Sequence, residues 1–312
     1  MHIYTAEDIA AALNWGAVID ALREAHRGPR PQGDSYFIGD ADFGLFSRGV
    51  VLPGYGAGLK VCSINPGNSS LVPPRPVEQA TFVVIDEQTK AIAAFMDGPE
   101  ITRWKTAADS ALAALSLSRE DSRTLLVIGA GPIAQALAAA YLHIRPSIQR
   151  VLLWNRSPEK LAQARQLIGQ RVAVEVVSDL DAALEQADIV TCATSSLQPL
   201  VKGERLRAGT HVDLVGGFRE DMREADDEVF RNARVFVDDY STAQASGDIC
   251  GPLQTGALSR IEGDLFDLCA APAIIRAPQS RTVYKNAGGA HLDLVVAQLV
   301  IRCHGAARPD QL

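Results

Sequence analysis

Gly129, Gly131 and Ala134 follow directly on the apolar run TLLVI and open the Ala- and Leu-rich run PIAQALAAAYLHI. A Gly-x-Gly-x-x-Ala spacing between a strand and a helix is the pattern of a dinucleotide-binding loop. Gly129 permits the tight turn, Gly131 lets backbone approach a pyrophosphate, and Ala134 lets the helix pack closely on the strand. Ala130, Pro132 and Ile133 complete the loop, and the phosphates would rest on the N–H groups at the helix N-terminus. The same glycines would also serve a plain strand-to-helix turn, but the full strand, loop and helix context favours a cofactor. The next strand, VLLWN, runs into Asn155, Arg156 and Ser157, where an NAD-specific domain places an acid on the ribose 2′-hydroxyl. Arg156 can pair with a 2′-phosphate, and Asn155 and Ser157 can hydrogen-bond to it, so NADPH is the expected cofactor. With Arg156 only a solvated charge, NADH use stays open. Ala193, Thr194 and Ser195, with Val215 and Gly216, end later strands; they line the same cleft or are ordinary small loop residues.

Two further charges stand in apolar surroundings. Lys60 sits between Leu59 and Val61 in a strand-like run. A buried ammonium needs an anion, which a substrate carboxylate would supply, whereas a lysine on an exposed strand face needs none. Asp293, in AHLDLVV, is an acid within an apolar helix; its plain alternative is a helix-surface position. The five cysteines contain no CxxC pair and the six histidines no HxxxH spacing, so neither a disulfide framework nor a metal site is expected. The thiols read as reduced and cytoplasmic. A formal charge of −7 without a Lys/Arg run gives no footprint for nucleic acid or an anionic membrane. The start, MHIYTAEDIAAAL, has no basic n-region and resembles a capped helix rather than a secretory signal, and no apolar run is long enough to span a bilayer.

These residues need elements to hold them. Apolar residues return every three or four positions over Thr5–Leu13 and Trp15–His26, predicting two short helices. From Tyr36 to Asp97 short strand-like runs follow, the last two joined by Glu87, Gln88 and Thr89 as a hairpin, and residues 106–118 read as an Ala-rich helix. From Thr124 apolar strands alternate with helical segments, predicting a parallel sheet with right-handed crossovers. At 312 residues the chain suits two domains. The expected class is α/β: a Rossmann dinucleotide-binding domain over 108–280 inserted into an α+β domain made of 1–107 and a return segment, 281–312.

The chain resembles the ornithine cyclodeaminase/mu-crystallin family. The likeness rests on LPGYGAGLKV, MDGPEITRWKTAADSALA, VIGAGPIA, VLLWNRS, ADIVTCATSSLQPLV, GTHVDLVGGFREDMREADDE, VFVDD with SGDI, and YKNAGGAHLDLVVA. Within the family, THVDLVGGFREDMREAD and WKTAADSALA look most like the bacterial reductases of 1-pyrroline-2-carboxylate. The resemblance implies a homodimer built through the first domain, a substrate site between domains, and Lys60 as the substrate-facing lysine. It places Asp293 at an acidic position that orients Lys60 or the substrate nitrogen, and Lys285 and Asn286 in a segment that reaches the nicotinamide. Lys105 stands where many relatives carry Arg, which keeps the charge but loses the planar fork for a carboxylate. Arg48 is a further candidate carboxylate clamp, or a plain surface arginine. Ornithine cyclodeaminases carry an Asp where this chain has Phe218, an aromatic wall suited to a small imine ring but without a proton to exchange. The implied activity is NADPH-dependent reduction of a cyclic ketimine carboxylate, 1-pyrroline-2-carboxylate to L-proline, with the six-membered homologue as a second substrate. An alanine dehydrogenase-like activity and a non-catalytic NADPH-dependent ligand-binding role are the alternatives.

Overall fold

The computed structural model describes residues 1–40, 42–73, 75–270 and 279–306. In chain order the elements are β1 (His2–Tyr4), α1 (Ala6–Ala12), α2 (Trp15–Ala25), β2 (Gln32–Gly39), β3 (Gly44–Leu52), β4 (Gly56–Ile64), β5 (Glu78–Ile85), β6 (Ile92–Asp97) and α3 (Gly98–Leu117). There follow β7 (Thr124–Ile128), α4 (Pro132–Ile144), β8 (Arg150–Trp154), α5 (Ala162–Gly169), β9 (Ala173–Val176), α6 (Leu180–Leu184), β10 (Ile189–Cys192), β11 (His211–Leu214), α7 (Asp227–Phe230), β12 (Arg234–Val237), α8 (Tyr240–Ala243), α9 (Gly247–Thr255), α10 (Leu265–Ala270), β13 (Thr282–Lys285) and α11 (Ala290–Ala306). The chain divides into one unit of Met1–Lys105 with Gly289–Leu312 and a second of Thr106–Gly288.

In the first unit six strands form a sheet in the order β1-β6-β5-β4-β3-β2. The β5–β6 hairpin forms where the turn residues Glu87, Gln88 and Thr89 place it. Thr5 and Asp8 close the capping box expected at the start of α1, two backbone donors being satisfied reciprocally. Helix α11 is apolar around most of its circumference, with Leu292, Leu294, Val295, Val296 and Ala297 all fully buried, the pattern of a core helix rather than a surface one. It packs on α2, β3 and β4, and this contact carries Asp293 to Lys60. The Ala-rich helix starts at Gly98, earlier than the expected 106, because Asp97 Oδ1 accepts the amide of Glu100 at 2.8 Å and Pro99 needs no intrahelical donor in the first turn.

The second unit is a fully parallel sheet in the order β12-β13-β11-β10-β7-β8-β9, a Rossmann domain inserted into the first unit. Every residue of the central strand β7 is buried. Each Leu, Val or Ile so enclosed contributes roughly 1.5–3 kcal/mol, so TLLVI anchors the loop that follows it. The strand order reverses between β7 and β10, which makes the carboxyl ends of these strands the place for a ligand. The return to the first unit begins at Gly289 and not at 281, because Thr282–Lys285 is drawn into the sheet between β11 and β12.

Candidate active site

Two groups of residues carry chemistry, one in each unit. In the first, antiparallel pairing sets Arg48 of β3 directly opposite Lys60 of β4. Like charges so placed repel, and the structure answers with an acid: Lys60 Nζ donates to Asp293 Oδ1 at 3.0 Å. It also donates to Thr102 Oγ1 at 2.5 Å, and that hydroxyl donates in turn to the carbonyl of Gly98 at 2.7 Å. The Lys60 side chain is 16% exposed and that of Asp293 only 3%, so the ammonium tip has two fixed partners and a partly open environment. Lys105, three residues after Thr102 and therefore on the same side of α3, is buried. Burial by itself would raise Asp293; Lys60, Lys105 and Arg48 outweigh it and hold the carboxyl below its ordinary range. Lys60, Asp293, Arg48 and Lys105, picked out separately in the sequence, thus form one cluster. Neither Lys60 nor Asp293 is the surface residue of the plainer reading.

The second group lies at the carboxyl edge of the parallel sheet. Gly129 has φ +127°, and a Cβ there would lie 2.5 Å from Ala193 O, so only glycine fits. Around Gly131, by contrast, nothing lies within 4 Å of where a Cβ would be; its backbone is open to a close approach. As N-cap of α4 it offers no side-chain cap, and Pro132 follows at the first helical position. The first-turn amides are therefore available to an anion, which the positive end of the helix favours. At the end of β8, Asn155 Nδ2 donates to Ser157 O at 2.9 Å, shaping the turn. Arg156 is exposed, with no ion pair or hydrogen bond among the described residues. These features fit a dinucleotide with its phosphates on α4 and its adenosine end toward Arg156.

The chain matches the model of the ornithine cyclodeaminase/mu-crystallin family over residues 50–303. It is 40% identical over 303 residues to the delta(1)-pyrroline-2-carboxylate reductase of Paracoccus denitrificans, covering 95% of this chain and 94% of the relative. The mouse ketimine reductase mu-crystallin is 33% identical over 263 residues, covering 80% and 78%. Among solved structures, delta(1)-pyrroline-2-carboxylate reductase of Thermococcus litoralis, in complex with NADH and L-proline, superposes with a TM-score of 0.91 at 25% identity, covering 98% of each chain. The chain belongs to the ornithine cyclodeaminase/mu-crystallin family.

For a member of this family, several residues sit differently from the sequence expectation. Lys285 is not open to a dinucleotide: its side chain is fully buried at the end of β13, with Nζ 3.3 Å from Asp248 Oδ2. Asn286 is likewise enclosed, its Nδ2 donating to Thr106 O and Ser110 Oγ, each at 2.9 Å. The amides of Thr194, Val215 and Gly216 all donate to Glu224, so any contact they make with a cofactor uses the outer surface of these loops. Ala193 backs the Gly129 turn, Ser195 is exposed, and Phe218 is exposed with Arg219 stacked over its ring at 5.9 Å. Thr102, Glu224 and Asp248 escaped the sequence reading. Thr102 was detectable, one helical turn before Lys105; Glu224 lay in an acidic run that reads as a solvated face.

Proposed function

We propose that the chain reduces 1-pyrroline-2-carboxylate to L-proline with NADPH, and accepts the six-membered 1-piperideine-2-carboxylate as a second substrate. The observation that carries this reading is the Lys60–Asp293 pair in the field of Arg48 and Lys105, in a chain so similar to a reductase of that imine. A planar imino acid brings one carboxylate and, once protonated, one cationic nitrogen. The carboxylate pairs with the cations of β3, β4 and α3. Asp293, kept ionised by those cations, stabilises the protonated C=N group and so increases the electrophilicity of its carbon. A bound nicotinamide supplies hydride to that carbon. Hydride addition to the protonated imine gives the secondary amine directly, with no covalent link to the protein. Lys60, fixed by Thr102 and Asp293, orients the substrate rather than attacking it.

Arg156 supports NADPH over NADH, since a free guanidinium at the end of β8 matches a 2′-phosphate. A second copy of the chain is the proposed partner. Strand β2 is a sheet edge exposed along its whole length, and Tyr36, Phe37, Ile38, Phe43 and Val51 leave apolar surface uncovered there, which a monomer would not be expected to retain. Among the described residues none of the five cysteines forms a disulfide, and no helix is long and apolar enough to cross a membrane; a cytoplasmic setting is part of the proposal.

The deciding experiment is NADPH oxidation with the two cyclic imines, with pyruvate plus ammonia, and with no substrate, alongside an ornithine incubation with NAD. Rapid oxidation with a cyclic imine alone supports the reading. Turnover only with pyruvate and ammonia would make the enzyme an amino-acid dehydrogenase, and proline formed from ornithine at a comparable rate would overturn the role of Phe218. Light scattering after gel filtration tests the dimer; a monomer at micromolar concentration rejects it.

A further inference from the structure

Glu224 lies outside every helix and strand, yet it is fully buried. Its segment folds back beside residues 196–201: Arg223 N donates to Ser196 O at 3.1 Å, and the amides of Leu200 and Val201 both donate to Glu224 O at 2.8 Å. This turns the side chain toward the ends of β10 and β11. Oε1 accepts Thr194 N at 2.7 Å and Thr194 Oγ1 at 2.9 Å. Oε2 accepts Val215 N at 3.0 Å and Gly216 N at 2.6 Å. The two strand ends are in tight contact, since a Cβ on Gly216 would lie 1.8 Å from Thr194 O. Glu224 is itself held from behind: its amide donates to Asp248 Oδ1 at 2.8 Å, and Asp248 Oδ2 faces Lys285 Nζ.

We propose that Glu224 is a positioning residue of the dinucleotide site: its ionised carboxylate clamps the ends of β10 and β11 in the arrangement that receives the cofactor, so that cofactor affinity follows its charge. This rests on reading the parallel-sheet unit as the nicotinamide dinucleotide domain. Three of the four contacts come from backbone amides and require an acceptor; the fourth, the Thr194 hydroxyl, can donate or accept. Among the described residues the amides of Thr194 and Gly216 have no other acceptor, while that of Val215 is shared with Cys192 O at 2.9 Å. An amide in its place turns its NH2 toward the Thr194 amide and leaves that N–H unpaired, while a protonated carboxyl, its O–H turned to the Thr194 hydroxyl, keeps one lone pair fewer for the Thr194 amide. The charged and titratable groups facing Glu224 are Asp248 of α9, Lys285 of β13 and the thiol of Cys192 of β10. Burial raises Glu224 to about 7, Lys285 opposing the rise and Asp248 adding to it. The clamp therefore loosens within the neutral range.

The test is a fluorescence titration of NADH and NADPH onto the wild-type protein, Glu224→Gln and Glu224→Asp from about pH 6 to about pH 8.5. NADH carries no 2′-phosphate and so contributes no titration there. The wild type is expected to lose about tenfold in NADH affinity on acidification, about the size of one charge-assisted hydrogen bond. Glu224→Gln should bind weakly at every pH with no such slope, and Glu224→Asp should retain the slope. At about pH 8 the KM of Glu224→Gln for the cofactor should rise by a larger factor than its kcat falls. A purely structural glutamate would not give this pattern. A flat wild-type curve overturns the proposal even if neither variant folds, and so does a Gln variant that keeps wild-type affinity and slope. Failure of the wild type to bind either dinucleotide at any pH overturns the dinucleotide reading itself, and the clamp with it.

Discussion

Lys60→Met, Asp293→Asn and the double variant together probe the cluster on which the functional reading depends. Removing the Lys60 ammonium takes away the group 3.0 Å from an Asp293 side chain that is only 3% exposed. Breaking a buried pair from one side costs about 3–5 kcal/mol. Two features reduce that figure here: Lys60 is 16% exposed, and Arg48 and Lys105 still act on Asp293. About 2 kcal/mol is the expected loss, measured by urea unfolding at neutral pH. The double variant removes the stranded charge, so its loss should fall short of the sum of the two singles by about 1 kcal/mol or more. The sign with pH follows from the depressed Asp293. Its contribution to stability is present above the unfolded carboxylate value of about 4 and is lost as pH falls through the lower folded value. In Lys60→Met the depression of Asp293 is reduced, so the deficit relative to wild type should be largest at neutral pH and should narrow as pH falls through about 4. Ketimine-dependent NADPH oxidation should fall about 100-fold or more in kcat/KM for each single variant, with cofactor affinity unchanged because the dinucleotide loops belong to the other unit. Additive stabilities would show that the pair is not coupled, and near-normal turnover in Lys60→Met would make Lys60 a structural lysine.

Arg156→Ala should weaken NADPH about tenfold or more while leaving NADH within twofold, read from the two Kd values; equal losses would mean that Arg156 does not contact the 2′-phosphate. Thr102→Val removes one of the two groups that fix the Lys60 tip, and should lower kcat for the ketimine about tenfold with little change in melting temperature; unchanged kcat would leave Asp293 as the only group that matters. Burial raises Asp213 to about 6 and Glu224 to about 7, so the stability that each contributes is present below its unfolded value and lost as pH rises through its folded one. Unfolding free energy should thus decline between about pH 5 and about pH 8, by up to roughly 3 kcal/mol for Glu224, and Glu224→Gln should flatten the curve; a wild-type curve that rises over this range contradicts the assignment.

The elements most legible in the sequence were those whose signal is local. TLLVI, the glycine loop and PIAQALAAAYLHI state strand, turn and helix within about twenty residues, and β7, Gly129 and α4 stand where that run puts them. The start of α3 and the strand Thr282–Lys285 were less legible. The helix start depends on Asp97 accepting the Glu100 amide, a cap at the end of a strand pattern. The strand is only four residues long and is drawn in by β11 and β12, partners distant in the chain. The same division holds in the site. Lys60 and Asp293 each stood out as a charge in an apolar run, although nothing local to either says that they touch; α11 packing on β4 does that. Lys285 ends the last strand and Asn286 follows it; both read as an open segment, but both are buried.

The two candidate sites handle buried charge in opposite ways, and this bears on how each can work. In the first, a single carboxylate, Asp293, lies in the field of Lys60, Lys105 and Arg48 and stays ionised well into acid. Such a cluster suits a substrate whose carboxylate must be held at any working pH. In the second, the one ammonium fully buried among the described residues, Lys285, faces Asp248, with Glu224 beyond it, and burial leaves Glu224 only marginally ionised at neutrality. An apolar residue at 224 would remove that desolvation penalty, yet it would leave the amides of Thr194 and Gly216 without acceptors at the very strand ends that must stay ordered. A charged side chain is the one group that can accept four donors at once from two strands. The stability given up to keep it ionised is, on this argument, what holds the cofactor edge in shape, and a variant that gains stability at position 224 should lose affinity for the dinucleotide.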